Sequence, residues 1–275
     1  MKKYNEFEDV NDVLDEVSQI LKYASKNDYK FLDLPTRLKR LNYLVADCDD
    51  YYYKRRHGRL DIFNMSSCKG VCIPFVNYDN VIDDIVIIIS KGNDKNPLYV
   101  VHELLHFFST NVNKKRQLIC GIDNFDVCNG TRKGIIAINE GFTDYFAYKV
   151  CGNYYDKKYF KFDSTDEKVH KYHYSTLLIN LAAYNNLELE KNLFKAYMTN
   201  NTEYIYSILE KSFGINRDKI EYLFERGEDY ADNKLDDVEI KVYLKDVEKV
   251  IKYYYDNIYN NDDPDFVDNY LKLFK

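Results

Sequence analysis

The chain of 275 residues contains no tryptophan, only five histidines and no apolar run longer than the five residues Ile85–Ile89. A membrane-spanning helix needs about 20 apolar residues, so the sequence predicts no membrane span. Cations are outnumbered as well, because 39 Lys and Arg face 45 Asp and Glu and leave a net charge of −6. Phosphate binding depends on a surplus of Lys and Arg, so this balance argues against nucleic acid as the main partner.

Two further absences concern location and cysteine chemistry. The chain begins with two lysines and then turns acidic without an apolar h-region, which is unlike a secretory signal and predicts a cytoplasmic protein. Its six cysteines show no Cys-x2-Cys spacing, so they predict neither a zinc knuckle nor a redox motif. We expect reduced thiols, with a bridge between Cys120 and Cys128 as the alternative.

The hydrophobic pattern divides the chain into three regions. Residues 1–57 show apolar spacings of three and four and predict mainly helix. Residues 58–92 contain short β-rich runs between glycines and a proline, which predict strands; the run Asp84–Ser90 belongs to a sheet whose exposed edge we expect to bind substrate. From Asn96 the pattern predicts helix almost to the end of the chain.

The most informative segment is a His-Glu-x-x-His pattern in residues 96–108. Asn96 is a favourable N-cap, and Pro97 stands at the first helical position, where proline is tolerated best. The predicted helix places His102 and His106 one turn apart on one face, where both imidazoles can bind one ion. Glu103 lies beside them, turned by about 100° around the helix, where it can reach a water molecule at the ion.

A second segment, residues 138–147, carries two acidic residues one helical turn apart, Glu140 and Asp144. Here the sequence resembles the gluzincins, the thermolysin-like zinc metallopeptidases, whose second motif Asn-Glu-x-x-Ser/Thr-Asp reads Asn-Glu-Gly-Phe-Thr-Asp at residues 139–144. The resemblance covers roughly residues 85–150. It implies that Glu140 is the third zinc ligand and that Asp144 accepts a hydrogen bond from a ligand histidine. The longer spacing between the two motifs makes residues 111–134 a long loop or a small insertion.

The same resemblance implies the chemical roles of the remaining site residues. Glu103 would take a proton from the zinc-bound water and pass it to the leaving amine. A His or Tyr should stabilise the oxyanion. The cluster at residues 170–174 supplies the candidates: we favour Tyr172 or His173, and Tyr174 and His170 remain open alternatives.

The expected architecture is an α+β, zincin-like fold. A small mixed or antiparallel sheet and the metal-bearing helices would form an N-terminal lobe, residues 1–155, and a helical C-terminal lobe, residues 156–275, would close the cleft. The expected function is zinc-dependent hydrolysis of a peptide or protein substrate. Two alternatives remain: a zincin-fold binding or regulatory protein without proteolytic activity, and a regulatory metalloprotease that cuts a repressor.

Overall fold

The computed structural model confirms the α+β class, with a small mixed sheet and helices followed by a mainly helical C-terminal region. The structure describes residues 10–46, 51–56, 59–64, 69–76, 82–112, 117–126, 131–133, 135–152, 172–259 and 263–275.

The chain begins with two helices, α1 (Leu14–Lys26), which follows a 3-10 turn, and α2 (Leu34–Leu38). Helix α1 is amphipathic: Val17, Ile20 and Ala24 recur at spacings of three and four and are buried, while most of the intervening polar residues face solvent. The predicted helical periodicity is confirmed here.

A three-stranded mixed sheet follows, in the order β1-β5-β4. Its members are β1 (Leu41–Ala46), β4 (Gly70–Val76) and β5 (Ile82–Ser90). Strand β5 lies in the centre, parallel to β1 and antiparallel to β4, and its residues 85–90 are all buried. A continuous apolar run is typical of such a central strand, because elements cover both of its faces.

Strands β2 (Tyr51–Arg56) and β3 (Arg59–Asn64) form a separate antiparallel pair. The prediction of mainly helix for residues 1–57 is therefore wrong from Leu41 onward, where β1 and β2 lie. The predicted strands between residues 58 and 92 are confirmed as β3, β4 and β5.

Helix α3 (Pro97–Ser109) leads directly into a second, four-stranded antiparallel sheet. Its strands are β6 (Thr110–Val112), β7 (Leu118–Cys120), β8 (Asp123–Asp126) and β9 (Thr131–Lys133). The expectation of helix from Asn96 almost to the end is wrong in this stretch. The insertion between the two motifs is a small β-sheet, since each strand pairs with the next along the chain.

Helix α4 (Ile136–Cys151) ends before Gly152, whose φ of +72° is left-handed and therefore favours glycine. The C-terminal region then consists of α5 (His173–Ala182), α6 (Leu187–Met198), α7 (Thr202–Phe213), α8 (Arg217–Ala231), α9 (Asp237–Asn257) and α10 (Phe266–Leu271). Asparagine or aspartate side chains cap the N-termini of α6, α7, α8 and α9.

The chain forms two compact units, one of residues 1–133 and 146–151 and the other of residues 134–145 and 152–275. Helix α4 is thus divided: its residues up to 145 belong to the unit that contains 152–275, and its residues 146–151 to the unit that contains 1–133. Among the described helices, none is both long enough and apolar enough to cross a membrane.

Candidate metal centre

Helix α3 starts where the sequence predicts. The side chain of Asn96 accepts a hydrogen bond from the backbone N–H of Leu98 at 3.1 Å, and Pro97 is the first helical residue. This cap satisfies one of the N–H groups that have no partner within the helix. From Val100 to Ser109 every side chain except that of His102 is buried, so the metal motif lies on a helix embedded in the core.

The C-terminal end of α3 is held by the guanidinium of Arg37. This group donates to the carbonyl oxygens of Phe108 and Thr110 at 3.0 and 3.1 Å and to the side-chain oxygen of Asn111 at 2.6 Å. A cation at this end also complements the helix dipole. The end of α3 is therefore fixed from α2, which lies about 70 residues earlier in the chain.

The two motif histidines face each other across one helical turn. Their Nε2 atoms are 3.1 Å apart and their rings meet edge to face, with centroids 4.8 Å apart. His106 is buried and His102 half-buried. The spacing of four residues therefore brings both imidazoles to one point, as expected for a shared ion.

Glu103 is only 6% exposed and lies against the edge strand β4. A Cβ atom added to Gly70 would stand 2.8 Å from both Cγ and Oε1 of Glu103. A side chain at position 70 would therefore displace the glutamate. The absence of a side chain at Gly70 gives the carboxylate its place.

Helix α4 carries the second motif, with Glu140 half-buried and Asp144 buried one turn later. Between them, Gly141 lies so close to α5 that a Cβ atom there would stand 2.6 Å from the Cβ of Ser175. The hydroxyl of Thr143 donates to the Asn139 carbonyl oxygen at 2.9 Å and also forms a hydrogen bond of 2.5 Å with the Tyr197 hydroxyl. The motif on α4 is thus positioned by close helix packing.

The structure brings His102, His106 and Glu140 together into a group that could hold a metal ion, with ligand atoms that all lie within 4.8 Å of one another. In a tetrahedral zinc site with bonds of about 2.1 Å, neighbouring ligand atoms lie about 3.4 Å apart. The two imidazole nitrogens nearly match this distance. The 4.8 Å limit exceeds it by about 1.4 Å. Two imidazoles and one carboxylate are a donor set that suits zinc, so the residues fit the ion.

Tyr172 and His173 lie at the start of α5. Tyr172 is the half-buried N-cap residue, and its carbonyl oxygen accepts hydrogen bonds from the backbone N–H and hydroxyl of Thr176. His173 is 8% exposed and its ring lies 5.1 Å from that of Tyr174. The roles of both residues at the site stay predictions, and His170 lies outside the described residues.

Tyr174 belongs to an aromatic cluster in the core of the C-terminal helices. Its ring stacks on Tyr230 at 4.8 Å and on Phe274 at 5.7 Å, and meets Tyr243 edge to face at 6.2 Å. Burial raises the pKa of the Tyr174 hydroxyl. These contacts pack the Tyr174 ring among the C-terminal helices, and its role at the site stays a prediction.

Sequence reasoning missed three residues: Gly70, which lies against Glu103; Cys120, which contacts His106; and Arg37, which holds the end of α3. Gly70 precedes a predicted strand, and Cys120 belongs to no Cys-x2-Cys pair, so neither pattern indicates a neighbour of α3. Cys120 and Cys151 take part in no disulfide, as expected for reduced thiols, and Cys128, the partner in the alternative bridge, lies outside the described residues.

The chain matches no protein-family model, no curated protein and no solved structure. The resemblance to the gluzincins therefore depends on the two motifs and on the group of side chains that they bring together.

Proposed function

We propose that the chain is a zinc-dependent metallopeptidase of zincin type, with His102, His106 and Glu140 as zinc ligands. The observation that carries this proposal is the convergence of these three side chains from two helices that lie far apart in sequence. Burying several carboxylates in one region costs free energy unless positive charge compensates for it. A divalent cation bound by this group would place positive charge next to the carboxylate of Glu140.

Zinc at such a site lowers the pKa of a bound water molecule to about 7 and polarises a substrate carbonyl group. Glu103 is the general base: it follows a ligand histidine directly in α3, and its buried carboxylate is not among the three ligand groups. It accepts a proton from the attacking water and delivers it to the leaving amine. Gly70 preserves the space in which the carboxylate does so.

The substrate peptide is proposed to bind along strand β4. In the described part of the chain β4 pairs with β5 alone, so its other edge can accept a further strand. Gly70, at the start of this strand, lies against Glu103. A peptide added to β4 would therefore pass beside the general base. The run Asp84–Ser90, expected to belong to the binding sheet, lies in the central strand β5, which pairs with the edge strand β4.

The oxyanion donor is proposed to come from Tyr172 or His173. The close contact of Gly141 with Ser175 brings the first turns of α5 next to the segment of α4 that carries Glu140. Both candidates lie within three residues of Ser175. Tyr174 is a weaker candidate, because its ring is part of the aromatic cluster.

A binding or regulatory protein that holds zinc without cleaving a substrate is the second candidate. A metal kept for structure alone would not require a carboxylate next to its ligand histidine, nor a glycine that leaves room for it. The burial of Glu103 against Gly70 therefore favours the peptidase.

The test uses the purified full chain, its zinc content and a peptide library whose cleavage is followed by mass spectrometry. Glu103→Gln should keep stoichiometric zinc and lose about 10²- to 10⁴-fold in cleavage rate, the usual contribution of a general base. Glu225→Gln, at an exposed position of α8, is the matched control and should cleave like the wild type. Zinc binding without cleavage in the wild type, or full cleavage by Glu103→Gln, would exclude the proposed activity.

A further inference from the structure

Cys120 lies on the side of His106 that faces away from the other histidine. Its Sγ is 3.4 Å from Nδ1 of His106 and 3.6 Å from the carbonyl oxygen of the same residue. The fold enforces this placement, because β6 continues directly from α3 and β7 returns along it, with Thr110 opposite Cys120. The small sheet between the two motifs thus places the Cys120 thiol next to helix α3.

The two contacts of the thiol together indicate which atom carries each proton. The His106 carbonyl oxygen can only accept, and it also accepts from the hydroxyls of Thr110 and Ser109 at 2.6 and 3.2 Å. Both contacts of the thiol are hydrogen bonds at the same time only if its single proton points to this carbonyl oxygen, the sulfur accepts from the ring, and Nδ1 is the N–H donor. In a neutral imidazole the other nitrogen, Nε2, is then without a proton.

Nε2 of His106 is the atom that lies 3.1 Å from Nε2 of His102. We propose that Cys120 is a positioning residue, which fixes His106 in the tautomer that leaves Nε2 free to bind the metal and holds the ring in the orientation that ligation needs. This inference rests on the proposed function in so far as it takes His106 to be a metal ligand. The sulfur contacts Nδ1, and Cys120 does not belong to the group of described residues whose ligand atoms converge, so we do not propose it as a ligand of the same ion.

A partner on the second nitrogen of a ligand histidine typically changes metal affinity by 10- to 100-fold. A carboxylate or a carbonyl oxygen is the usual partner, and a thiol is a weaker acceptor. Cys120 compensates in part through its two contacts with one residue, which fix the position of the sulfur as well as the direction of its proton. Serine retains one donor and acceptor at the same position, whereas alanine removes both.

The experiment measures zinc affinity by competition with a chromophoric chelator, and the His106 tautomer by ¹⁵N NMR of the metal-free full chain. NMR spectra are recorded about one pH unit above the ordinary histidine pKa of about 6.5, where most imidazoles are neutral and most thiols, with an ordinary pKa of about 8.5, keep their proton. Cys120→Ala should weaken zinc binding by about 10- to 100-fold and shift His106 towards the Nε2–H tautomer. Cys120→Ser should stay within about threefold of the wild type. Cys151→Ala is the matched control, a free half-buried thiol on α4, and should leave both quantities unchanged.

Wild-type zinc affinity in Cys120→Ala, together with an unchanged tautomer, would overturn the proposal. So would a wild-type His106 that carries its proton on Nε2, a result that does not depend on how any variant folds. Neither readout uses catalysis. A zinc-loaded chain that cleaves nothing would therefore exclude the peptidase, while zinc affinity and the His106 tautomer would still decide the role of Cys120. If the wild type binds no zinc, the proposed function fails and the tautomer alone decides the role of Cys120.

Discussion

Helices α3 and α4 each bring part of the candidate metal centre into place, but they are held in different ways. Helix α3 is fixed at its ends by polar contacts: the Asn96 cap at its start, and Arg37 with Cys120 at its last turn. Both helices are packed into the core, but the described contacts of α4 lie near its middle, where Gly141 approaches α5 closely and the Thr143 hydroxyl hydrogen-bonds to Tyr197. The difference indicates that the ligands of α3 should be sensitive to lost hydrogen bonds, and those of α4 to added volume.

The largest expected effect tests whether both helices supply ligands. His106→Ala on α3 and Glu140→Ala on α4 each remove a ligand. Each should therefore weaken zinc binding by more than about 100-fold, which is the upper effect of losing a hydrogen-bond partner of a ligand. Competition with a chelator measures this, and Glu225→Ala is the control for loss of a carboxylate. Zinc affinity that falls only for His106→Ala would mean that α4 contributes no ligand.

The second prediction tests the packing of α4. Gly141→Ala should lower the free energy of unfolding by about 2 kcal/mol, because the new Cβ would stand 2.6 Å from the Cβ of Ser175. Helix propensity alone predicts the opposite sign, a gain of about 1 kcal/mol. Urea titration of the metal-free chain distinguishes the two, and adding Ser175→Gly should recover part of the loss. A stabilised Gly141→Ala variant would show that the two helices are not tightly packed.

The third prediction tests the polar support of α3. Arg37→Met should cost about 1.5 kcal/mol, because it removes charged hydrogen bonds from a half-buried helix end while keeping an apolar stem. Lys39→Met replaces an exposed cation in the same segment and should change stability little. Equal urea midpoints for the Arg37→Met variant and the wild type would refute the role of Arg37.

The smallest expected effect concerns the start of α3. Asn96→Ala should lower the free energy of unfolding by about 1 kcal/mol, since it removes the acceptor for the Leu98 N–H. Asn96→Asp keeps an acceptor, so its free energy of unfolding should stay close to that of the wild type. If alanine and aspartate behave alike in thermal unfolding, the cap does not stabilise the helix.

The sequence predicted the candidate ligands because their placement depends on local periodicity. A spacing of four residues on a helix determines that His102 and His106 converge, whatever surrounds them. The prediction that Glu140 lies beside the two histidines required the family resemblance, because the spacing of residues within one helix does not show which other helix it contacts. Gly70 and Cys120 could not be found in this way, because each reaches α3 through the pairing of strands.

The errors in the predicted fold also arise where a residue's conformation depends on pairing with a distant or neighbouring strand. Strand β1 lies next to a helical pattern, is only six residues long and pairs in parallel with β5 far along the chain. Strands β8 and β9 are three or four residues long and mainly polar, so neither shows the alternation by which strands are recognised. Their conformation depends on the ladder of neighbouring strands, which the local sequence does not contain.

The mixed pairing of the first sheet has a consequence for the order in which it folds. Val76 pairs with Ile82 six positions later in the β4–β5 hairpin, whereas Leu41 of β1 lies opposite Ile85, 44 positions later. Closing the longer loop costs about 1.8 kcal/mol more in chain entropy. The hairpin should therefore form early and β1 should join it late. The strand that gives Glu103 its space is thus in place before the far edge of the sheet is complete.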